Sequence, residues 1–323
     1  MASLDAVTGA LLALYGAARE MPIDVFQDGA LAIVRKQVAF TSAQWGSGSQ
    51  NTEWISKRHV HLYNERPDAA ALYEDVKEQD VAVKLAWQHR KGLFSYDISE
   101  MMGGRACAGI REYANRVEHR SVLLAFDIDV ENAFTKWISL YRANDRDRFT
   151  SADCRLATLL SPHLWEALAI NRRTQLEHIS GKDVERRFEL AICDREGHLV
   201  HAERGFVQLM REEFGMGLGA SLPEACTRSL LVDGRYRGRV AVVSVAQRAD
   251  VLFVKARTLR NVDRLSSRER QIAGEVVLGR SHKAIARQLR VAPATVRNHI
   301  QAIHAKLGVH NAAELARELR DAT

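Results

Sequence analysis

The chain has 323 residues, 27% of them charged and 46% hydrophobic, an ordinary globular mix that excludes a disordered or collagen-like chain and allows two or three domains. No apolar run approaches the ~18 residues of a membrane span, and the stretch Met1–Met21 carries Asp5 and no basic leader, so it does not read as a secretory signal. The formal net charge of +6 is unevenly placed: residues 258–323 hold 12 Lys and Arg against 6 Asp and Glu, so the rest of the chain is neutral and the basic excess sits in the last fifth, as expected of a polyanion-binding module joined to something else.

The four cysteines (Cys107, Cys154, Cys193, Cys226) lie too far apart for a CxxC zinc pair and give no disulfide framework. Reduced thiols in a cytoplasmic protein are the expectation. His59-Val-His61 puts two imidazoles on one strand face, but two ligands without a third make a poor metal site, and none is expected. No P-loop, H-E-x-x-H or nucleophile-elbow pattern occurs. The first 70 residues also lack the acidic cluster and phosphoacceptor Asp of a phosphorelay receiver. No cofactor is implied.

In chain order, Val38–Gly46 reads as an early strand, and an aromatic-rich segment follows. Seven of the 22 Phe, Trp and Tyr fall between Trp45 and Tyr96. Aromatics with a few polar groups suit a small-molecule pocket. Trp45, Trp54, His61, Tyr63, Tyr73, Asp80, Trp87 and Tyr96 are the candidate ligand residues, with Asp80 or His61 orienting an apolar or aromatic metabolite. Ordinary core packing is the competing reading of each ring. Leu72–Val83 with Leu93-Phe-Ser-Tyr96 resembles the acyl-homoserine-lactone-binding pattern, with Asp80 in its acidic position. However, Pro67 and Ala71 stand where that pattern has Trp and Tyr. The resemblance implies a related sensor shape without that ligand.

Ser121–Val130 and Phe134–Arg142 read as a strand pair, and Thr150-Ser-Ala-Asp153 caps a helix with Leu156, Leu159, Leu160, Leu164 and Leu168 on its apolar stripe. Pro162 should kink that helix, and its stripe could also pair with a second copy. Strand, strand and capped leucine helix ending near Asn171 resemble the close of a GAF-like sensor domain. Residues 173–187 are almost all polar and read as a linker or a helix extension. Beyond them, Phe188–Cys193 and His198–Ala202 form a hairpin around Asp194-Arg-Glu-Gly197, and Phe206–Phe214 is a short helix. Arg228–Val232, Gly238–Ala246 and Val251–Ala256 alternate like strands. The order resembles a small PAS-like domain. Gly215-Met-Gly-Leu-Gly-Ala220 fits G-x-G-x-x-A on paper, but a helix precedes it and Pro223 follows, so it reads as a turn.

The tail reads as four short helices. Ser266 and Glu269 make a capping box, and Ile272, Ala273, Val276 and Val277 recur at helical spacing until Gly279. Ser281 caps a second helix carrying Ile285 and Leu289, and Arg290–Ala292 is a turn. Pro293 opens a third helix with Val296, Ile300, Ile303 and Leu307 on one face, and Gly308 ends it. Ala312, Leu315, Ala316 and Leu319 mark a fourth. Helices two and three have helix-turn-helix dimensions. Arg297, Asn298, Gln301 and His304 lie on the wet side of helix three, the residue types that read guanine and adenine edges. No acidic residue occurs between Arg280 and Val309, as a phosphate-facing surface requires.

Leu265-Ser-Ser-Arg-Glu-Arg-Gln-Ile, Gly279-Arg-Ser-His-Lys-Ala-Ile-Ala, Thr295-Val-Arg-Asn-His-Ile and Lys306-Leu-Gly-Val together resemble the LuxR/FixJ-type helix-turn-helix domain. The resemblance implies transcriptional regulation on double-stranded DNA, a homodimer formed through the fourth helix on inverted repeats, and RNA polymerase as a candidate partner. By position it assigns base contacts to Arg297, Asn298 and Gln301 and phosphate contacts to Lys283, Thr295 and Lys306. Ala292 departs from the family's Ser or Thr cap, His282 from a frequent Asn and Ala312 from a common Arg.

The expected fold is therefore an α+β, GAF/PAS-like sensor region of antiparallel sheet with helices, followed by an all-α four-helix LuxR-type module. The expected division is a sensor and dimerisation domain at 1–172, a linker or helix extension at 173–187, a small PAS-like domain at 188–257 and the DNA-binding domain at 258–323. A ligand-independent regulator with a dimerisation or docking scaffold is the second reading. An enzyme with a DNA-binding tail ranks last.

Overall fold

The computed structural model describes residues 4–50, 55–129, 134–180, 188–215, 221–248 and 252–320. Trp54, the stretch 181–187 and the glycine-rich stretch 216–220 fall outside the described residues. The chain divides into two compact units, Met1–Tyr236 with Val243–Ala256, and Arg237–Val242 with Arg257–Thr323.

The larger unit opens with helices α1 (Leu4–Glu20) and α2 (Ile23–Arg35). Val7, Ala10, Leu14 and Ala18 recur every three to four residues along α1 and are its buried side chains. Strands β1 (Ser42–Gln50) and β2 (Ile55–Tyr63) follow, then α3 (Ala69–Glu74), α4 (Val81–His89), β3 (Lys91–Asp97), α5 (Ile98–Met101), α6 (Ala108–Arg116), β4 (Ser121–Asp129) and β5 (Phe134–Arg142). They form an antiparallel sheet in the order β2-β1-β5-β4-β3. Because successive side chains leave a strand on opposite faces, the sheet has two cores. Trp45, Leu123, Ile138 and Leu140 pack with Leu14, Phe26, Leu31 and the long helix α7 (Ser151–Ser180). Leu124, Phe126, Ile128 and Trp137 pack on the other face with Tyr73, Ala82, Met102, Ile110 and Tyr113.

The start of α7 is as expected: Thr150 N–H donates to Asp153 Oδ2 at 2.8 Å, and Asp153 N–H donates back to Thr150 Oγ1 at 3.2 Å. Pro162 lies inside this one helix, which runs past Asn171 to Ser180, so the polar run from 173 begins as a helix extension. Asn171 is fully buried and its amide donates to the carbonyls of Ala18 and Met21, closing the end of α1.

A second sheet is built from β6 (Glu189–Cys193), β7 (Leu199–Ala202), β8 (Arg235–Arg237), β9 (Ala241–Arg248) and β10 (Leu252–Thr258), in the order β7-β6-β10-β9-β8. Counted from its own first strand, this is the order of the first sheet. Helices α8 (Arg204–Phe214) and α9 (Glu224–Val232) lie between β7 and β8. The strand expected at Arg228–Val232 is therefore the end of a helix. Cys226, Thr227 and Leu230 are its buried residues, a helical spacing, and Pro223 precedes its first turn. The hairpin turn at Asp194–Gly197 is as expected. Gly197 has φ +88°, and a Cβ there would meet Thr227 Oγ1 at 2.2 Å.

The smaller unit holds α10 (Ser267–Val277), α11 (His282–Leu289), α12 (Pro293–Leu307) and α13 (Ala312–Arg320) around Ile272, Ile285, Val296, Ile303 and Leu315. Arg257 and Asp263 form a buried, two-pronged ion pair at its entry, and Asp263 also accepts from Arg260 N–H. Among the described residues no helix is long and apolar enough to cross a membrane.

Gly46 faces Trp137 across the β1–β5 pair, and a Cβ on it would fall 2.1 Å from the indole. Gly46→Ala should destabilise the chain by about 1–3 kcal/mol in urea titration and alter the near-ultraviolet aromatic circular dichroism.

Candidate functional site

The DNA-facing candidate is built by the caps that orient three helices. Ser266 N–H donates to Glu269 Oε2 at 2.8 Å and Glu269 N–H donates to Ser266 Oγ, completing the expected capping box. Ser281 Oγ accepts from Ala284 N–H and starts α11. Arg290, in the left-handed region at φ +54°, closes α11 and starts the turn that Ala292 and Pro293 end. Ala292 makes no side-chain cap, and Pro293 needs no acceptor for a missing N–H.

Val296, Ile300, Ile303 and Leu307 are the buried face of α12. That rotation leaves Thr295, Arg297, Asn298 and Gln301 exposed on the opposite side, with Lys283 exposed on α11. These five form the open polar ridge expected of a groove reader. The other two predicted contacts are placed differently. His304 is half-buried, and its enclosed Nε2 has no hydrogen-bond partner among the described residues. Lys306 Nζ donates to both Glu269 oxygens, at 2.7 and 2.8 Å, and so ties the end of α12 to the start of α10. The Lys306 ammonium, then the Ser266 N–H, hold the Glu269 carboxyl down to about 2.

The aromatic segment contributes to a second feature, a cavity of about 70 Å³ on the α3–α4 face of the first sheet. Tyr73, Asp80 and Tyr96 line it as expected, together with Phe126, Trp137 and Tyr141 from β4 and β5. Tyr73 Oη donates to Asp80 Oδ2 at 2.8 Å, while Asp80 Oδ1 accepts from Ala82 and Val83 N–H and caps α4. Burial, and then the Asp80 charge, push the Tyr73 and Tyr96 hydroxyls well above the usual phenol range, so both remain donors. With the Tyr73 proton committed to Asp80, the cavity offers the Tyr96 hydroxyl as donor and the Tyr73 oxygen as acceptor in an apolar shell. Next to it, His119 stacks on Tyr141 with ring centroids 3.4 Å apart, and its Nε2 bonds the buried Glu65 at 2.5 Å.

The remaining predicted ligand residues lie elsewhere. Trp45 is in the opposite core beside Phe26. Tyr63 packs on Phe40, His61 bonds Asp28 at 2.9 Å, and Trp87 lies under the Arg90 guanidinium. Sequence reasoning missed Phe126, Trp137 and Tyr141. The signal was present: these aromatics fall on one face of two strands once the pairing Phe126↔Trp137 is known.

Residues 263–319 match the family model described as "Bacterial regulatory proteins, luxR family". Over these residues the tail matches the luxR family. Over 57 residues it is 46% identical to "Probable transcriptional regulatory protein NarL" of Mycobacterium tuberculosis, a stretch that covers 17% of this chain and 26% of that protein. It is 44% identical over 59 residues to "Transcriptional regulatory protein UhpA" of Escherichia coli, covering 18% and 30%. The chain thus spans about a quarter to a third of the length of these curated relatives. Among solved structures, Escherichia coli SdiA aligns over 96% of this chain and 95% of its own at 13% identity and a TM-score of 0.39. The phycoerythrobilin-bound GAF domain of a cyanobacterial phytochrome aligns over 55% and 100% at 13% identity and a TM-score of 0.37.

Because the Glu269 carboxyl is held down to about 2 against an ordinary 4.5, its contribution to the luxR-family module is complete above pH 4.5 and is lost as pH falls towards 2. Denaturation of the parent and Glu269→Gln should show a stability gap that narrows across that window. A gap independent of pH would exclude the Lys306–Glu269 clamp. Tyr73→Phe should cost roughly 1.5–3 kcal/mol in the same measurement, the worth of a buried bond to a charged acceptor.

Proposed function

We propose that this protein is a sequence-specific DNA-binding transcription regulator that works as a homodimer and is controlled by a small molecule in its N-terminal region. One observation carries the DNA-binding part. The luxR-family module exposes Lys283, Thr295, Arg297, Asn298 and Gln301 together, over a stretch with no carboxylate from Arg280 to Val309. Arg and Asn or Gln match guanine and adenine edges, and the lysine matches phosphate. On this reading α12 enters the major groove, and the two half-sites of an inverted repeat lie about one helical turn, ~10 bp, apart.

Dimerisation is supported by large apolar side chains left in the open: Leu4 (82% exposed) and Leu12 (71%) on α1, and Leu159 on α7, which packs against α1. Control by a small molecule is supported by the cavity that joins the Tyr73 and Tyr96 hydroxyls and Asp80 to an apolar shell. We propose a division of labour with sensing and dimerisation in 1–172, a PAS-like domain in 188–257 and DNA reading in 258–323. A ligand would act by binding one of two dimer conformations better and shifting their populations.

The cavity's small size, about 70 Å³, favours a second reading, in which the N-terminal region is a dimerisation or docking scaffold and no effector binds there. Native mass spectrometry of freshly purified protein separates the two, because it reports subunit number and retained small molecules together.

Arg297→Ala should lose about 1–3 kcal/mol of operator affinity and relax the preference at one base pair, whereas Lys283→Ala should weaken all sequences alike and lower the salt slope by about 1. Affinity of Arg297→Ala equal to the parent, measured by fluorescence anisotropy on a selected duplex, would overturn the base-reading role.

A further inference from the structure

A second, larger cavity lies within the first compact unit, between the first sheet, α7 and the start of the second sheet. It measures about 700 Å³ and shares no lining residue with the Tyr73–Asp80 cavity. Its volume falls in the ~300–1,000 Å³ range of small-molecule sites. Ser47 Oγ donates to Val200 carbonyl oxygen at 2.7 Å and holds β1 beside β7 at its edge.

Two wall residues of this cavity carry unused donors. Arg172 is only 9% exposed, and among the described residues it has neither an ion-pair nor a hydrogen-bond partner. Among the described residues, the buried Trp165 indole N–H has no acceptor. The two stand seven residues apart on α7, two helical turns, and so share a face. The Lys136 ammonium lies 5.4 Å from the centre of the Trp165 ring and also lines the cavity. A buried guanidinium without a counter-charge is costly, and among the described residues none of the carboxylates on the same walls pairs with it, Glu166 being exposed to solvent. Glu203 is taken by Arg173 at 2.6 Å and by Leu190 N–H at 2.8 Å. Asp127 faces Lys91 at 3.3 Å and Lys136 at 3.8 Å. The head of Glu189 rests on Gly205, where a Cβ would come within 2.2 Å of its carboxyl carbon.

We propose that this cavity is a second effector site, which takes a small metabolite bearing a carboxylate or phosphate and holds that oxyanion with the Arg172 fork and the Trp165 indole N–H. The planar guanidinium matches either oxyanion with two parallel bonds. The remaining volume receives the rest of the molecule. His201, on β7, also lines the cavity. Burial, then the charges of Arg172 and Lys136, push its imidazole down to about 3. An anion beside it offsets those charges and raises that value. The inference stands independently of an effector in the Tyr73–Asp80 cavity.

Thermal unfolding of the full chain tests it, with inorganic phosphate and succinate each compared against sodium chloride at equal ionic strength. One or both anions should raise the midpoint saturably, by roughly 5 °C at a hundredfold excess over Kd. The effect should vanish in Arg172→Met, which keeps the basic DNA-facing module intact and should be no less stable than the parent without anion. The two arms separate a phosphate from a carboxylate ligand. No rise with either anion, or an equal rise in Arg172→Met, overturns the site; the latter places the anion on the basic tail. Should Arg172→Met fail to fold, the Trp165 indole N–H of the parent decides by NMR at neutral pH: its resonance shifts saturably with the effective anion if the site is real and stays in place if it is not.

Discussion

An enclosed carboxylate organises the smaller unit of this protein. Glu269, with a side chain 8% exposed, accepts from the Ser266 backbone at the start of α10 and from the Lys306 ammonium at the end of α12. Removing a charge from water is costly unless it is fully bonded, and here one group satisfies a helix start and clamps two helices together. With α12 held at that end and its Val296–Leu307 stripe buried, its opposite face has only solvent to meet. The exposed ridge of Thr295, Arg297, Asn298 and Gln301 follows from that rotation.

The larger unit applies one topology twice. Both of its sheets run in the order second, first, fifth, fourth, third strand. In the first sheet the alternation of side chains sends Trp45 and Leu123 to the α1–α2–α7 side and Phe126 and Trp137 to the α3–α4 side. Two chemically different spaces result. One is small, with buried phenols and a single carboxylate that also caps α4. The other is roomier and presents Arg172, without an ion-pair partner among the described residues, and the Trp165 indole. Both lie in the same compact unit, so occupancy of either can alter how its strands and α7 pack.

Local chemistry explains what was legible in the amino-acid sequence. The caps at Thr150, Ser266 and Ser281, the stops at Gly279 and Gly308, and the four-residue stripe of α12 depend on contacts a few residues apart, and each appears where its residues predict. The misread segment, Arg228–Val232, is short enough for an alternating and a helical pattern to coincide, and burial of Cys226 and Leu230 decided for the helix. Pocket membership was the least legible. Aromatic density between Trp45 and Tyr96 is real, but which rings meet is set by strand register and sheet face. Tyr73, Asp80 and Tyr96 converge on the smaller cavity and Trp45 lines the larger one, while His61, Tyr63 and Trp87 serve other contacts. The commitment of Lys306 to Glu269 depends likewise on a pairing 37 residues apart in sequence.

Hydrogen–deuterium exchange of the full chain, free and bound to a duplex enriched from a random-sequence library, shows whether the exposed face of α12 meets DNA. Protection on binding should concentrate on α12, Pro293–Leu307, and on the start of α11. A bound duplex that leaves the backbone amides of α12 unprotected, or a library from which no duplex is retained at low ionic strength, would contradict that contact.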